Sequence, residues 1–268
     1  CSDLAHRHVE TWLRRHIPPE AHAAVTDVTS GYAMLNLQGP KSRELLSRVT
    51  HTDISNQAFP YMTMQEIDVH YARTLAFRVT YLGELGYELY IPTEFAPTVF
   101  DVLVETGKDL GLKHAGLQAL NTLRIEKAYR DYGHDTDNTD TPLEAGLSFV
   151  VDFKKPGGFI GKEALAKQKE SGILKQRFVQ FLLEDPEPLL YYGEQIYRNG
   201  KRVGYVRSGA YGFTLGGAIG LAFVENKEGV TPDYIMSGNF EIEVNGARYP
   251  ARASLRPIYD PNGLRIKN

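Results

Sequence analysis

Two Asn-Gly pairs, Asn199-Gly200 and Asn245-Gly246, constrain this chain more than any other feature. A two-residue hairpin turn needs a left-handed backbone at both central positions, and Asn followed by Gly adopts it at least cost. The flanking runs, 194–198 with 202–207 and 240–244 with 248–253, are short and β-prone. Further strands are predicted at 177–183 and 218–224. Several short strands with regular turns imply a small antiparallel barrel or jelly roll from about residue 173 to 268.

Ahead of that region the pattern mixes helix and strand. Residues 32–38 predict a strand, broken by Gly39-Pro40, with Pro40 at a tolerated first-turn position of a helix bearing Ser42, Leu45, Leu46 and Val49. Strands are predicted at 64–68, 74–81 and 87–92, with Gly83-Glu84-Leu85-Gly86 as the turn between the last two. In 74–81, Leu75, Phe77 and Val79 alternate with Ala76, Arg78 and Thr80, the period of a half-buried strand. A helix over 93–110, with Phe95, Val99, Val102 and Leu103 on one side, closes at Gly111. The result is an α+β unit over 26–112. A helix over 4–17, carrying Leu4, His8, Thr11 and Trp12, is halted by Pro18-Pro19 and reads as the end of a first domain, 1–25.

Residues 117–149 link the two halves, within a helix-loop connection over 113–172. Leu117, Leu120, Arg124 and Ala128 share one helix face, and the helix is predicted to end near Tyr132-Gly133. Glu126 faces the other way, where it can pair with Arg130. The polar loop 134–141 holds three Asp and one Asn. A strand is predicted at 147–153 and a short helix at 162–169. A guanidinium on an apolar stripe needs a partner. Arg124 is therefore either bonded to helix-end carbonyls or a neighbouring acid, or it faces a cleft holding a polar or anionic ligand.

The net charge of −3 offers no basic field for nucleic acid or an anionic membrane, and no apolar run approaches the length of a bilayer span. Cys1 is the only cysteine, which excludes a disulfide framework and a Cys-based zinc site and fits bacterial cytoplasm or the mitochondrial matrix. The common local motifs for dinucleotides, nucleoside triphosphates and zinc hydrolysis are missing. His6 and His8, for want of a partner acid or Cys, read as surface residues. Ser171-Gly172 and Ser208-Gly209 read as turn residues, and Glu84 as a solvated turn residue. In 87–92, alternation puts Glu88 and Tyr90 on one face and Tyr87, Leu89 and Ile91 on the other.

YLGELGYELYIP (81–92) is similar to the Tyr-Thr-Gly-Glu-x-Gly-x-Glu hairpin of the glycine-cleavage T-protein (aminomethyltransferase) family. TLRIEKAYRDYGHD, TPLEAGLSFVVDF, FIGKEAL and VGYVRSGAYGFTLGGAIGLAFV resemble its later blocks, in the same order. LRIEK in place of LRLEAG, and IYRNGKRVG, resemble the C-terminal folate-binding region of sarcosine and dimethylglycine dehydrogenases, and the related pyruvate dehydrogenase phosphatase regulatory subunit.

The resemblance implies a clover-leaf α+β fold, incomplete at its N-terminus, with a ferredoxin-like α+β unit and the C-terminal barrel. It implies tetrahydrofolate as the cofactor, with 5,10-methylenetetrahydrofolate as the product, and FAD only through an upstream domain not in this chain. Among residues, it implies Glu88 as the carboxylate for the pterin donors, Tyr81 as an aromatic contact, and Leu89 and Tyr90 along the strand beneath the ring. Phe149 matches a further aromatic position. For Arg124 it suggests an orienting role, a contact to the acidic folate tail, or a structural tie. No catalytic acid or base and no metal ligand follow from it. Leu82 stands where the family often has Thr, and Asn121 where it often has Asp. A stand-alone aminomethyltransferase and a non-catalytic regulatory subunit remain the alternatives.

Overall fold

In a computed structural model residues 5–267 are described, and contacts divide them into two compact units. The first comprises the described residues up to Val79 with Gly86–Leu112. The second comprises Thr80–Leu85 and the described residues from Lys113 onward. No helix among the described residues is long and apolar enough to cross a membrane.

The first unit is built on a four-stranded antiparallel sheet: β1 (Tyr32–Gln38), β2 (Met64–Val69), β3 (Ala72–Phe77) and β4 (Gly86–Pro92), in the order β1-β4-β3-β2. Leu37, Ile67, Val69, Ala76, Tyr87, Leu89 and Ile91 form its inner face. They pack against Leu45 and Leu46 of α2 (Ser42–Ser47) and Val99 and Leu103 of α3 (Ala96–Thr106). In β3 the buried set is Ala72, Thr74 and Ala76, continuing to Arg78 and Thr80, whereas Leu75, Phe77 and Val79 are only partly covered. Half-burial is as predicted, but the inner face carries the smaller and polar residues. Register explains this, because Ala76 stands beside the core residue Leu89. The strand also stops at Phe77, so residues 78–85 form a long connection instead of a tight turn. Likewise α3 is shorter than predicted, a 3₁₀ turn taking up Thr93–Phe95.

The N-terminal helix α1 (His6–Arg15) ends with Arg14 and Arg15 in its last turn but buries no residue, and Trp12 is half exposed. Leu4, part of its expected stripe, lies outside the described residues, as does Cys1. His6 has an acid partner after all: its Nε2 lies 2.9 Å from Asp27, a residue 21 positions away that local spacing could not flag.

In the second unit β5 (Gln176–Leu183), β6 (Gln195–Arg198), β7 (Lys201–Gly212), β8 (Gly217–Glu225), β9 (Phe240–Val244) and β10 (Ala247–Ser254) close into a barrel, β10-β5-β8-β7-β6-β9. Asn199 and Gly200 have φ of 49° and 77°, and Asn245 and Gly246 of 52° and 80°, the left-handed pairs the two hairpins require. Phe181, Val206, Ala222, Val224, Ile196 and Ile242 fill the interior. Ser208-Gly209 is not a turn but part of β7, at a shift of register.

The helices of this unit are α4 (Leu117–Glu126), α5 (Lys162–Ser171) and the short α6 (Pro232–Met236). α4 packs Ile125 and the following Ala128 against Phe178, Ile219 and Leu221 of the barrel wall. It ends at Glu126, seven residues before the predicted glycine. Tyr129 N–H donates to Arg124 O at 2.8 Å and Ala128 N–H to Ile125 O at 2.9 Å, with Ala128 left-handed at φ 55°. That is a Schellman ending with alanine where glycine is usual. The predicted strand at 147–153 is instead a 3₁₀ turn, Ser148–Val150, without ladder partners among the described residues.

Candidate functional site

The residues singled out above fall on both units. In the first, β4 lies in the interior of its sheet. Glu88 pairs with Asn36 on one side and Phe77 on the other, and Tyr90 with Met34 and Leu75. Both side chains are half-buried on the face away from the helices. The Tyr90 hydroxyl donates to Glu88 Oε2 at 2.7 Å. Burial first, and then the adjacent Glu88 carboxylate, pushes the Tyr90 phenol up to about 12. No lysine or arginine among the described residues pairs with Glu88. A partly desolvated carboxylate without a cation retains capacity to accept from a ligand's N–H groups. Leu89 is fully buried in the core on the opposite face, so its side chain does not share the space of Glu88 and Tyr90.

In the second unit Tyr81 opens the connection Thr80–Leu85. Its hydroxyl donates to Arg130 O at 2.8 Å, and its ring lies nearly parallel to that of Tyr129, 6.1 Å away. Burial raises the Tyr81 phenol to about 12, with Arg124 pulling the other way. The two bonds from Leu82 and Gly83 N–H to Thr80 Oγ1 shape the connection, with Gly83 left-handed at φ 82°. Phe149 sits in the 3₁₀ turn and is 81% exposed, a free aromatic face.

Arg124 is 2% exposed. Its Nε donates to Asn121 at 2.8 Å, Nη1 to Tyr129 O at 3.0 Å and to the fully buried Asp135 carboxylate, and Nη2 to Ser208 Oγ at 3.0 Å. Arg130 points to the carbonyls of Ala145 and Ala128, not to Glu126. Its burial brings it down to about 10, against the pull of Asp135. Glu126 is itself buried and accepts the backbone N–H groups of Thr214 and Leu215. Glu84 is largely covered instead of fully solvated, and it accepts from the Tyr259 hydroxyl. Asp140, beside Asp135 in the polar loop, pairs with Arg207 at 2.9 Å and accepts from Gln176 at 3.0 Å. Two of the three acids of 134–141, read from sequence as a polar loop, are thus counter-charges: Asp135 for Arg124 and Asp140 for Arg207, whereas Asp137 bonds Thr139 within the loop. Their proximity to Arg124 in the chain was the available signal. Nothing local pointed to Tyr259, Asp260 or Ser208.

A hollow of about 450 Å³ beside Arg43, Glu44, Ser47 and Ser55, and another of about 480 Å³ beside Asp185, Glu187, Glu194, Tyr191 and Tyr249, contain none of the six residues singled out. Among the described residues no group of three or more His, Cys, Asp or Glu side chains could hold a metal ion.

Residues 1–155 match the GCVT N-terminal domain and residues 176–260 the glycine cleavage T-protein C-terminal barrel domain. The chain is 45% identical over 245 residues to a 4-methylaminobutanoate oxidase (formaldehyde-forming) of Paenarthrobacter nicotinovorans, covering 91% of this chain and 29% of that protein. It is 36% identical over 262 residues to the mitochondrial sarcosine dehydrogenase of Homo sapiens, covering 97% of this chain and 28% of that protein. The chain therefore spans less than a third of either relative. A crystal structure of the glycine cleavage system aminomethyltransferase T from Bartonella henselae superposes with a TM-score of 0.72 at 21% identity, over 86% of this chain and 60% of that one, and shares its fold. With both domain matches in chain order and the α+β fold ending in a six-stranded antiparallel barrel, this chain belongs to the glycine cleavage T-protein (GCVT) family.

Proposed function

We propose that the chain is the tetrahydrofolate-binding, one-carbon-accepting region of an N-methyl amine oxidoreductase resembling sarcosine and dimethylglycine dehydrogenases. The acceptor supplies N5 of its reduced ring and the neighbouring N10 amine, which together take up a methylene group, giving 5,10-methylenetetrahydrofolate. The observation that carries the reading is Glu88: a half-buried carboxylate with no cationic partner among the described residues, steadied by Tyr90. A pterin edge offers an N–H and an amino group side by side, which one carboxylate accepts together. Aromatic faces, offered by Tyr90 in the first unit and by Tyr81 and Phe149 in the second, are of the kind that suits a flat heterocycle. Arg124, its guanidinium committed to protein groups, has an orienting role in this reading, and Leu89 supports the strand through its packing. This chain is assigned the acceptor half of the chemistry, and a flavin domain elsewhere the oxidation.

The name of the Paenarthrobacter relative favours a second reading, in which the one-carbon unit leaves as formaldehyde. The deciding experiment is a titration of the full-length protein with tetrahydrofolate, comparing wild type with Glu88→Ala. Loss of the carboxylate strands two pterin donors, and about 1–3 kcal/mol corresponds to a roughly 5- to 150-fold weaker Kd. Equal affinity removes Glu88 from the site. Absence of binding by the wild type removes the folate reading, leaving formaldehyde release or a non-catalytic scaffold.

A further inference from the structure

Lys127 follows the last residue of α4 and is 3% exposed. Its ammonium donates to Asp260 O at 2.6 Å and to Asp260 Oδ2 at 2.8 Å. Asp260 in turn is left-handed at φ 43° and accepts Leu264 N–H at 3.0 Å and Arg265 N–H at 3.3 Å, so it organises the C-terminal segment around the lysine. Two links run from this assembly to the connection Thr80–Leu85. The methylenes of Lys127 lie directly over Gly83, where an added Cβ would come within 2.8–2.9 Å of Cβ, Cγ and Cδ of the lysine. The Tyr259 hydroxyl donates to Glu84, and Arg265 Nη1 lies 3.8 Å from the same carboxylate. Tyr81, at the other end of the connection, is bonded to Arg130 O just past α4. The six residues Thr80–Leu85 are thus held by the end of α4 on one side and by 259–265 on the other.

We propose that Lys127 is a positioning residue: together with Asp260, Tyr259 and Glu84 it ties the C-terminal segment to the Thr80–Leu85 connection and so fixes the orientation of Tyr81. What Tyr81 then contacts rests on the folate reading above; the tie itself does not. A lysine is suited to this place because its ammonium can take two oxygens of one residue while its stem packs against a glycine.

The test is hydrogen exchange of residues 80–85 in the full-length protein without folate, in wild type, Lys127→Met, Lys127→Arg and Tyr259→Phe, with a tetrahydrofolate titration of each. The tie predicts that Lys127→Met raises exchange at 80–85 at least tenfold while β5 and β8 stay protected. Tyr259→Phe gives a smaller rise at the same peptides, and Lys127→Arg restores part of the protection. Where wild type binds tetrahydrofolate, Lys127→Met weakens it about tenfold. Unchanged exchange at 80–85 overturns the tie, as does a rise spread evenly over the barrel, which would make Lys127 merely structural. Raised local exchange with unchanged Kd overturns the positioning of Tyr81. Should Lys127→Met fail to fold, Tyr259→Phe decides by the same readout. A wild type that binds no tetrahydrofolate defeats the folate reading alone, and the tie is then judged by exchange.

Discussion

Glu126 accepts the backbone N–H of Thr214 at 2.8 Å through the same carboxylate oxygen that takes Leu215 N–H at 3.0 Å. An acid on the last turn of α4 thereby satisfies two donors in the β7–β8 connection of the barrel. Glu126→Leu strands both donors, at about 1–3 kcal/mol each. Glu126→Gln keeps an acceptor and costs less. Urea unfolding of the two variants should show that order, and equal loss would mean that the charge matters more than the acceptor.

Arg124 and Asp135 form an enclosed pair, 2% and 0% exposed. Arg124→Met leaves a buried carboxylate without its cation and should destabilise by about 3–5 kcal/mol. The double change Arg124→Met with Asp135→Leu removes both charges and should recover part of that loss. The unfolding free energies of the two single variants and the double give the coupling, and strict additivity would show that the pair does not act as one.

Ala128 holds a left-handed φ of 55° at the end of α4. Ala128→Gly relieves strain of about 1–2 kcal/mol but removes a buried methyl worth about 0.8 kcal/mol. The melting temperature should therefore change little. Ala128→Val puts a β-branched residue at the same angles and should lower it by several degrees. A Val variant as stable as wild type would mean that the helix end rearranges.

Acid should loosen the Lys127 tie. Burial pushes the Asp260 carboxyl up, but hydrogen bonds from Lys127 and from the N–H groups of Leu264 and Arg265 outweigh it and hold it below its ordinary value of 3.8. A carboxyl lowered on folding contributes stability that is complete above its unfolded value and is lost as pH falls through the folded one. Protection at 80–85, corrected for intrinsic exchange, should therefore be flat above about pH 5 and decline below about pH 4. Lys127→Met should lack that decline.

The barrel was legible from sequence because its signals are local. Asn199-Gly200 and Asn245-Gly246 fix register within a few residues, and β4 showed its two faces by simple alternation. The end of α4 was not legible, because an alanine closes the helix and the bonds that hold it run back to Arg124 and Ile125. The strand expected at 147–153 failed for a different reason: its apolar run is exposed at Phe149 and Val150 and finds no ladder among the described residues. At the candidate site Glu88 and Tyr81 could be named from the motif, whereas part of what holds the Thr80–Leu85 connection comes from the far end of the chain. Tyr259 lies 175 residues from Glu84, a separation at which no sequence pattern speaks.

The two sheets also differ in how they meet strangers. The barrel pairs every strand on both sides, so it presents no backbone ready to recruit another chain. The four-stranded sheet ends in β2 and β1. β2 sets Glu66 and Asp68 along its outward face, charges that repel an incoming strand, but β1 reads Tyr-Ala-Met-Leu-Asn-Leu-Gln and holds no charge at all. Self-association on heating or storage should therefore begin at β1, and a lysine at Met34 is the change that would discourage it.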